Sequence, residues 1–499
     1  SLIGRLLGVE LEDDNEVLEP EGTRERLFSA VRVLLEALSQ RGPLVLAIED
    51  IHWADEGMLD LIEHLAGWGQ GPILIVCLAR EELLERRPAW GGGRRNATTI
   101  SLDPLSEDAA RQLVDALVDE GPVDEELAVR VAARSGGNPL FVEEMVNRLR
   151  EGAGDAEELP DSVHAVLAAR LDALEPEQRH LLQAASVIGQ SFREGTVGAL
   201  AGAGSVGSAL SELVEKDLLA SSVIGRLEGE REFAFKHALV RDVAYSTLPR
   251  AVRARRHLDV ARIVESRAGA SVEAVAALLA EHYGRAAELA TQSSFPEDEL
   301  AELRRSAADA SRTAGDVAAG IYSNAEALLH YDSALELHGG LTAEVRARVE
   351  ESRADTAFRA GHVDAAVASW ESALAFQREQ GAPARVGELH RKIGSALWHK
   401  ADRQGSIAHF QEGIDLLKDG EPCRELVELY EEAASLYVET GDNMLAIYAA
   451  EKAQRLAEAM GQSAALSRTH LTFGRVFGRI GDTERARASL ERAVELARQ

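Results

Sequence analysis

Cysteine is nearly absent, with Cys77 and Cys423 the two in 499 residues. Two thiols cannot frame a disulfide scaffold, and Cys77 sits inside an apolar run, so reduced thiols in the cytoplasm are the expectation. Aromatic residues make up 5% of the chain, a poverty typical of Ala/Leu-rich helical repeats. Basic residues are outnumbered, 54 Lys and Arg against 84 Asp and Glu, for a formal net charge of −30. Such a surface repels polyanions, which argues against a direct nucleic-acid partner. No stretch approaches the ~18 apolar residues of a membrane span. The longest, ILIVCLA at 73–79, has the length of a buried strand. No charged segment leads into an apolar one as in a signal peptide. The motif G-x-x-x-x-G-K-[ST] is missing as well: GAGSVGSAL at 202–210 has no Lys, and GGGRR at 91–95 has the wrong order.

What is present falls into four textures. Over 1–103 the pattern is α/β. Leu27, Val31, Leu34, Leu35 and Leu38 recur at helical spacing until Gly42-Pro43, and LVLAI at 44–48 reads as a buried strand. A helix from Asp55 to Ala66 and the strand ILIVCLA complete a parallel βαβ unit. ATTISL at 97–102 is expected as a third strand, and Glu10 to Glu21 as an exposed acidic loop. Residues 104–157 turn helical, with Ser106 as an N-cap. In 158–268, helices at about 161–174, 176–188 and 206–217 precede a hairpin of LLASSVI (218–224) and REFAFKH (231–237), the order of a winged helix.

Residues 269–499 are helical and repetitive. Gly361, Ala401, Gly441 and Gly481 stand 40 residues apart, and so do Ala366/Ser406/Ala446/Ala486, Trp370/Phe410/Ala450/Leu490 and Ala373/Gly413/Ala453/Ala493. Small residues at fixed places let the helices of one hairpin approach, and large ones fill the gap to the next. The pattern predicts a TPR-like α-solenoid with a unit longer than the usual 34 residues. Trp370, Trp398, Phe410 and Tyr437 are expected in its core.

Chemistry concentrates at the strand ends. Glu49-Asp50 follows LVLAI directly, and Arg80 follows the next strand. Ligands of open parallel sheets sit at the carboxyl ends of the strands, so two acids and a cation there could hold a hydrated Mg²⁺ and touch a phosphate. The same residues could also be solvated strand ends. Arg250, Arg253, Arg255, Arg256 and His257 form a basic cluster, read as a solvated helix face or an interdomain contact. No H-E-x-x-H or paired Cys ligands occur, so no metal other than Mg²⁺ is expected.

LVLAIEDIHWADEGMLDLIEHL with ILIVCLAREE resembles the Walker B and sensor regions of STAND-class NTPases, particularly bacterial regulators with LuxR-type outputs and ATPase modules of class III cyclases. SGGNPLFVEEMV (135–146) resembles their lid-helix signature, and FAFKHALVRDVAYSTL (233–248) their winged-helix signature. The resemblance implies a mainly α protein with an N-terminal α/β part: a partial P-loop NTPase sheet, a helical lid, a winged helix and a TPR-like array. It implies Glu49 at the magnesium-associated place, with Glu where Asp is usual, and Asp50 at the water-activating place. Arg80 would be the phosphate sensor, Asn138 and Pro139 would border adenine, and His237 would report phosphate state. The other reading of His237 is a buried, locally bonded histidine.

The chain starts at Ser1, and only 43 residues precede LVLAI. The family's phosphate loop lies upstream of Walker B, so the expectation is an N-terminally truncated ATPase domain, with 73–79 and 97–102 flanking an empty slot or pairing directly. ATP or ADP and Mg²⁺ would then be cofactors only together with that loop. The implied function is a nucleotide-switched regulator: the TPR array senses a protein or small molecule, self-assembly follows, ATP hydrolysis resets the switch, and a cyclase or transcriptional output lies outside the sequence. The alternative is a TPR interaction scaffold with a vestigial α/β remnant.

Overall fold

The computed structural model describes residues 23–93, 96–118, 125–150, 162–202, 206–222, 231–337 and 339–498. The expected acidic loop at 10–21 and the tip of the wing at 223–230 lie outside them. The chain divides into two compact units, residues 25–310 and 311–499 for the most part. It is mainly helical, with a small parallel two-stranded sheet near its start and paired helical repeats towards its end.

In the first unit, α1 (Thr23–Ser39) leads to β1 (Leu44–Ile48), a 3-10 turn (Ile51–Trp53), α2 (Glu56–Trp68), β2 (Ile73–Cys77) and α3 (Glu82–Arg86). β1 and β2 pair in parallel, Leu44 opposite Ile73 and Ile48 opposite Cys77. Alternate side chains Ile48, Ile75 and Cys77 pack on Leu59 and Ile62 of α2, with Ile51 and Leu83 closing the cluster. The opposite face, Val45, Leu74 and Val76, is exposed, although parallel sheets are ordinarily covered on both sides.

The third strand expected at 97–102 does not form. These residues have no regular structure, and Ile100 and Leu102 are 77% and 86% exposed. β-propensity needs a neighbouring strand to bond to, and none stands beside this segment among the described residues.

Helices α4 (Glu107–Leu117), α5 (Glu125–Ser135) and α6 (Pro139–Arg150) follow. Ser106 caps α4, accepting from Ala109 N at 3.2 Å. The winged helix comprises α7 (Val163–Asp172), α8 (Pro176–Ile188), β3 (Ser191–Arg193), α9 (Glu194–Ala201), α10 (Gly207–Glu215), β4 (Leu219–Ser222), β5 (Glu232–Phe235) and α11 (Ala238–Ser246). Its antiparallel sheet runs β3-β5-β4; the short β3 and α9 were not legible in the sequence. Phe192, Phe233 and Phe235 fill its core with Leu181, Leu210 and Leu213.

After α12 (Arg250–Ala268) and a 3-10 turn come α13 (Ala276–Thr291), α14 (Glu297–Gly320) and α15 (Asn324–Glu336). Three members of the basic cluster of α12 bond within the unit, while Arg250 and Arg255 are exposed. Arg253 donates to Leu248 O, Arg256 donates to Leu200 O, and His257 meets Tyr245 and His282. Arg255 stands 3.7 Å from Glu299.

Four regular hairpins complete the second unit: α16 (Ala343–Arg359) with α17 (Val363–Glu379), α18 (Pro383–His399) with α19 (Arg403–Leu417), α20 (Arg424–Thr440) with α21 (Asn443–Met460), and α22 (Ser463–Ile480) with α23 (Thr483–Ala497). The 40-residue step has a backbone cause. Gly361, Ala401, Gly441 and Gly481 all adopt left-handed φ, between 61° and 90°. After each, the next N–H bonds five residues back, as in Asp402 N to Leu397 O and Asp442 N to Tyr437 O, both 2.9 Å. This is the Schellman closure of a helix. In α18–α19 and α22–α23 a small residue meets a large one sixteen positions on, whereas in α20–α21 both places, Ala434 and Ala450, are small. A Cβ on Gly394 would lie 2.6 Å from Phe410, and one on Gly474 would lie 2.6 Å from Leu490. Trp370 and Phe410 are core residues, 3% exposed, while Trp398 and Tyr437 pack at its margin. Each hairpin packs on the next through α17–α18, α19–α20 and α21–α22.

Candidate functional site

The carboxyl ends of β1 and β2 are laced together beyond the strands. Leu78 N donates to Ile48 O at 2.9 Å, and Ile51 N donates to Leu78 O at 3.0 Å. Glu49 and Asp50 therefore leave β1 beside the segment that carries Arg80, and all three side chains are exposed. Asp50 has φ 51° and ψ 36°, a left-handed conformation that Asp and Asn adopt more readily than most residues. It lets the chain turn sharply into Ile51–Trp53, where Ile51 and His52 are buried and Trp53 stays half-exposed. Both His52 ring nitrogens lack hydrogen bonds, and Nδ1 lies 3.9 Å from Asp50 Oδ1.

The loop is anchored from behind. Asp55 caps α2, accepting from Met58 N at 2.7 Å. Arg86 donates to His52 O at 2.8 Å, and Arg87 Nε donates to Glu56 Oε2 at 2.8 Å. The bond from Arg87, helped by Arg86, holds the Glu56 carboxyl below the usual carboxylate range. None of these anchors uses Arg80. Its guanidinium lies 5.9 Å from the centre of the Trp53 ring, and no ion pair to it occurs among the described residues.

The lid signature forms the turn into α6. Gly136 and Gly137 both have left-handed φ, and a Cβ on Gly137 would lie 2.3 Å from Leu105 O, so glycine is required there. Asn138 Oδ1 accepts from Phe141 N at 3.3 Å, and Pro139 occupies the first helical position, which suits its fixed φ. Both are exposed. The geometry thus gives them a structural duty as helix starters. On the same helix, Glu144 makes a buried ion pair with Arg170 of α7.

His237 holds the N-cap position of α11 without capping it. Its side chain is 31% exposed, yet its Nε2 is buried without a hydrogen bond and stands 3.8 Å from Glu143 Oε2 of α6. One helical turn on, the guanidinium of Arg241 lies 5.7 Å from the centre of the Trp53 ring. The first turn of α11 therefore meets both α6 and the strand-end rim. Glu49, Asp50 and Arg80 share the rim, and His237 belongs to the contact with α6. Trp53, Glu143 and Arg241 were missed in the sequence. The available signal was the spacing of His237 and Arg241, four apart on one helix face.

In the second unit, a groove of about 560 Å³ is lined by Arg391, Arg424, Glu428, Glu431 and Arg468 among others. Its charges pair across helices: Arg391 with Glu428 at 3.3 Å, and Arg468 with Glu431 at 2.9 Å.

No protein-family model matches the chain. An uncharacterized protein of Rhizobium meliloti is 28% identical over 285 residues, 54% of this chain. The chain spans 27% of that relative's length. Among solved structures, the chain is similar over 96% of its length to a signal transduction ATPase with numerous domains (STAND) with a tetratricopeptide repeat sensor from Pyrococcus horikoshii. That match covers 80% of the other chain at 14% identity and a TM-score of 0.35. YrrB, a TPR protein with an unusual peptide-binding site, matches 44% of this chain and 93% of its own at 17% identity, with a TM-score of 0.27. At these scores the meaning of the site rests on the chain's own residues.

Proposed function

We propose that the chain is the Walker B, lid, winged-helix and sensor portion of a nucleotide-switched signal-transduction regulator of the STAND class. The observation that carries the reading is the rim. An acidic pair leaves one parallel strand, a cation without an ion-pair partner among the described residues leaves the next, and backbone bonds lock the two exits side by side. Glu49 and Asp50, both exposed, fit a hydrated Mg²⁺, which takes one or two carboxylates and keeps its waters. The ion would neutralise phosphate charge. The described residues include no glycine-rich cradle for β- and γ-phosphates, so the site fits half of a nucleotide's contacts.

On this reading Asp50 orients a water, Arg80 senses the terminal phosphate, and Asn138 and Pro139 border the base. His237 exchanges Glu143 for a phosphate oxygen as the nucleotide state changes. A protein, peptide or small-molecule inducer is sensed by the TPR-like array, in cytoplasmic surroundings. A cyclase or transcriptional output and self-assembly complete the proposal.

A second reading, a TPR scaffold with a vestigial α/β remnant, is favoured by the bare face of β1–β2 and the unformed strand at 97–102. Calorimetric titration of ATP·Mg²⁺ and ADP·Mg²⁺ separates the two. The half-site expects millimolar affinity that Arg80→Ala abolishes. Absence of binding at ten times that concentration supports the scaffold, and micromolar affinity independent of Arg80 sinks the half-site.

A further inference from the structure

Trp53 is flanked by two guanidiniums from distant parts of the chain. Arg80 comes from the exit of β2 and Arg241 from α11, with charge centres 5.9 and 5.7 Å from the indole centre. Several other arginines of the first unit are held by carboxylates instead, although Arg253 also lies over a ring, that of Tyr245. Arg86 and Arg87 are tied to Glu56, Arg170 to Glu144, Arg231 to Glu194. Arg80 has no ion pair among the described residues, and the ion pair recorded for Arg241 is with Asp242, its own neighbour, at 2.8 Å. Two cations gathered at one ring make the local potential more positive, which favours an anionic ligand there. The ring itself attracts both guanidiniums, which keeps them near the rim. Arg241 Nε and Nη2 donate to Asp242 Oδ1 at 3.1 and 2.8 Å, so a phosphate oxygen would meet its remaining N–H groups or take the place of Asp242. A guanidinium's fork suits phosphate in this way.

We propose that Arg241 is a second phosphate-binding arginine of the rim, delivered by the winged helix, with Trp53 as the platform that sets its place beside Arg80. The ligand is a polyphosphate group. The proposal rests on the nucleotide reading of the rim and adds to it a contact from α11 other than His237. It also divides the labour by charge: Glu49 and Asp50 leave β1 to meet the hydrated cation, while Arg80 and Arg241 meet the phosphate oxygens. Arg241 thereby makes the position of α11 depend on phosphate occupancy.

Phenylglyoxal modification of the whole chain, mapped by mass spectrometry with and without millimolar pyrophosphate·Mg²⁺ or ATP·Mg²⁺, tests this. Both Arg80 and Arg241 should be protected, while the exposed Arg424 and Arg487 should react unchanged. Protection of Arg80 alone overturns the proposal and leaves the nucleotide reading standing. Protection of neither overturns both. Protection at lower ATP than pyrophosphate assigns the ligand as a nucleotide, and equal protection assigns it as free polyphosphate; either result supports the arginine pair. Calorimetry gives the second readout. Arg241→Ala should weaken pyrophosphate binding about ten-fold, the loss of one charge-assisted contact, and Arg241→Lys should recover part of it. Unchanged affinity in Arg241→Ala would overturn the assignment.

Discussion

Glu144 of α6 and Arg170 of α7 form an ion pair whose side chains are 2% and 3% exposed. Arg170 also donates to Lys216 O at 2.8 Å, so one guanidinium joins α6 and α7 to the C-terminal end of α10. Removing one partner of such a pair strands a buried charge and costs about 3–5 kcal/mol. Glu144→Leu and Arg170→Met should each lower the unfolding free energy of the first unit by that much, read from chemical denaturation. The double variant should regain most of it, because an apolar pair of similar volume leaves no charge stranded. Single variants within about 1 kcal/mol of the parent would show that the pair carries no such weight.

Two buried histidine pairs predict acid sensitivity. His257 Nδ1 meets His282 Nδ1 at 2.9 Å, and His390 Nδ1 meets His409 Nδ1 at 3.1 Å. One nitrogen of each pair must accept, so a second proton breaks the bond. Burial, with His282, Arg285 and Arg253 nearby, lowers His257 to about 3. Burial lowers His282 to about 4, and burial with His409 lowers His390 to about 4. A folded pKa below the unfolded value means that the unfolded chain binds the proton more readily. The stabilisation is therefore complete above pH ~6.5 and is lost as pH falls towards 4, at about 1.4 kcal/mol per pH unit for each histidine. Chemical unfolding at pH 7.5, 6 and 5 measures the slope, and His282→Leu should flatten it in the first unit.

The small-against-large pairing in the repeats predicts opposite outcomes for two glycines. At Gly394 a new Cβ would meet Phe410 at 2.6 Å, whereas at Gly478 it would meet nothing within 4 Å. Gly394→Ala should destabilise by about 1–3 kcal/mol through overpacking. Gly478→Ala, inside α22, should stabilise by about 0.5–1 kcal/mol. Thermal melts of the two variants decide, and equal shifts would refute the pairing.

Ala401 holds a position that is glycine in three sister repeats, at φ 61°. A side chain in that region is strained by about 1–2 kcal/mol, partly offset by glycine's greater freedom when unfolded. Ala401→Gly should raise stability by about 0.5–1 kcal/mol, read as a higher denaturant midpoint at unchanged slope.

The repeats were legible because their determinants are local. A left-handed turn every forty residues and a small residue sixteen before a large one are both visible in one dimension. β1, β2 and the hairpin of the winged helix were legible for the same reason, as dense apolar runs between turn residues. The segment at 97–102 looked like a strand because its composition suits one, but a strand also needs a partner, which no propensity supplies. The meeting of Trp53 with Arg241 joins residues 188 positions apart, and only the packing of the winged helix against the rim creates it. Asn138 shows the reverse limit: its motif is plain in sequence, yet the bond it makes in the structure is the start of its own helix.

The hairpins of the second unit are coupled in series, each bearing on its neighbours. Such a stack adds motion along its length: a small rotation at each interface between hairpins adds to the next, while the small-against-large contacts inside the hairpins are left intact. A ligand wedged between α20 and α22 would tilt one hairpin slightly, and the displacement would grow with every hairpin between it and α16. The array can therefore convert a local change of angle into a long travel at little elastic cost, as a coil spring does and a globular core cannot.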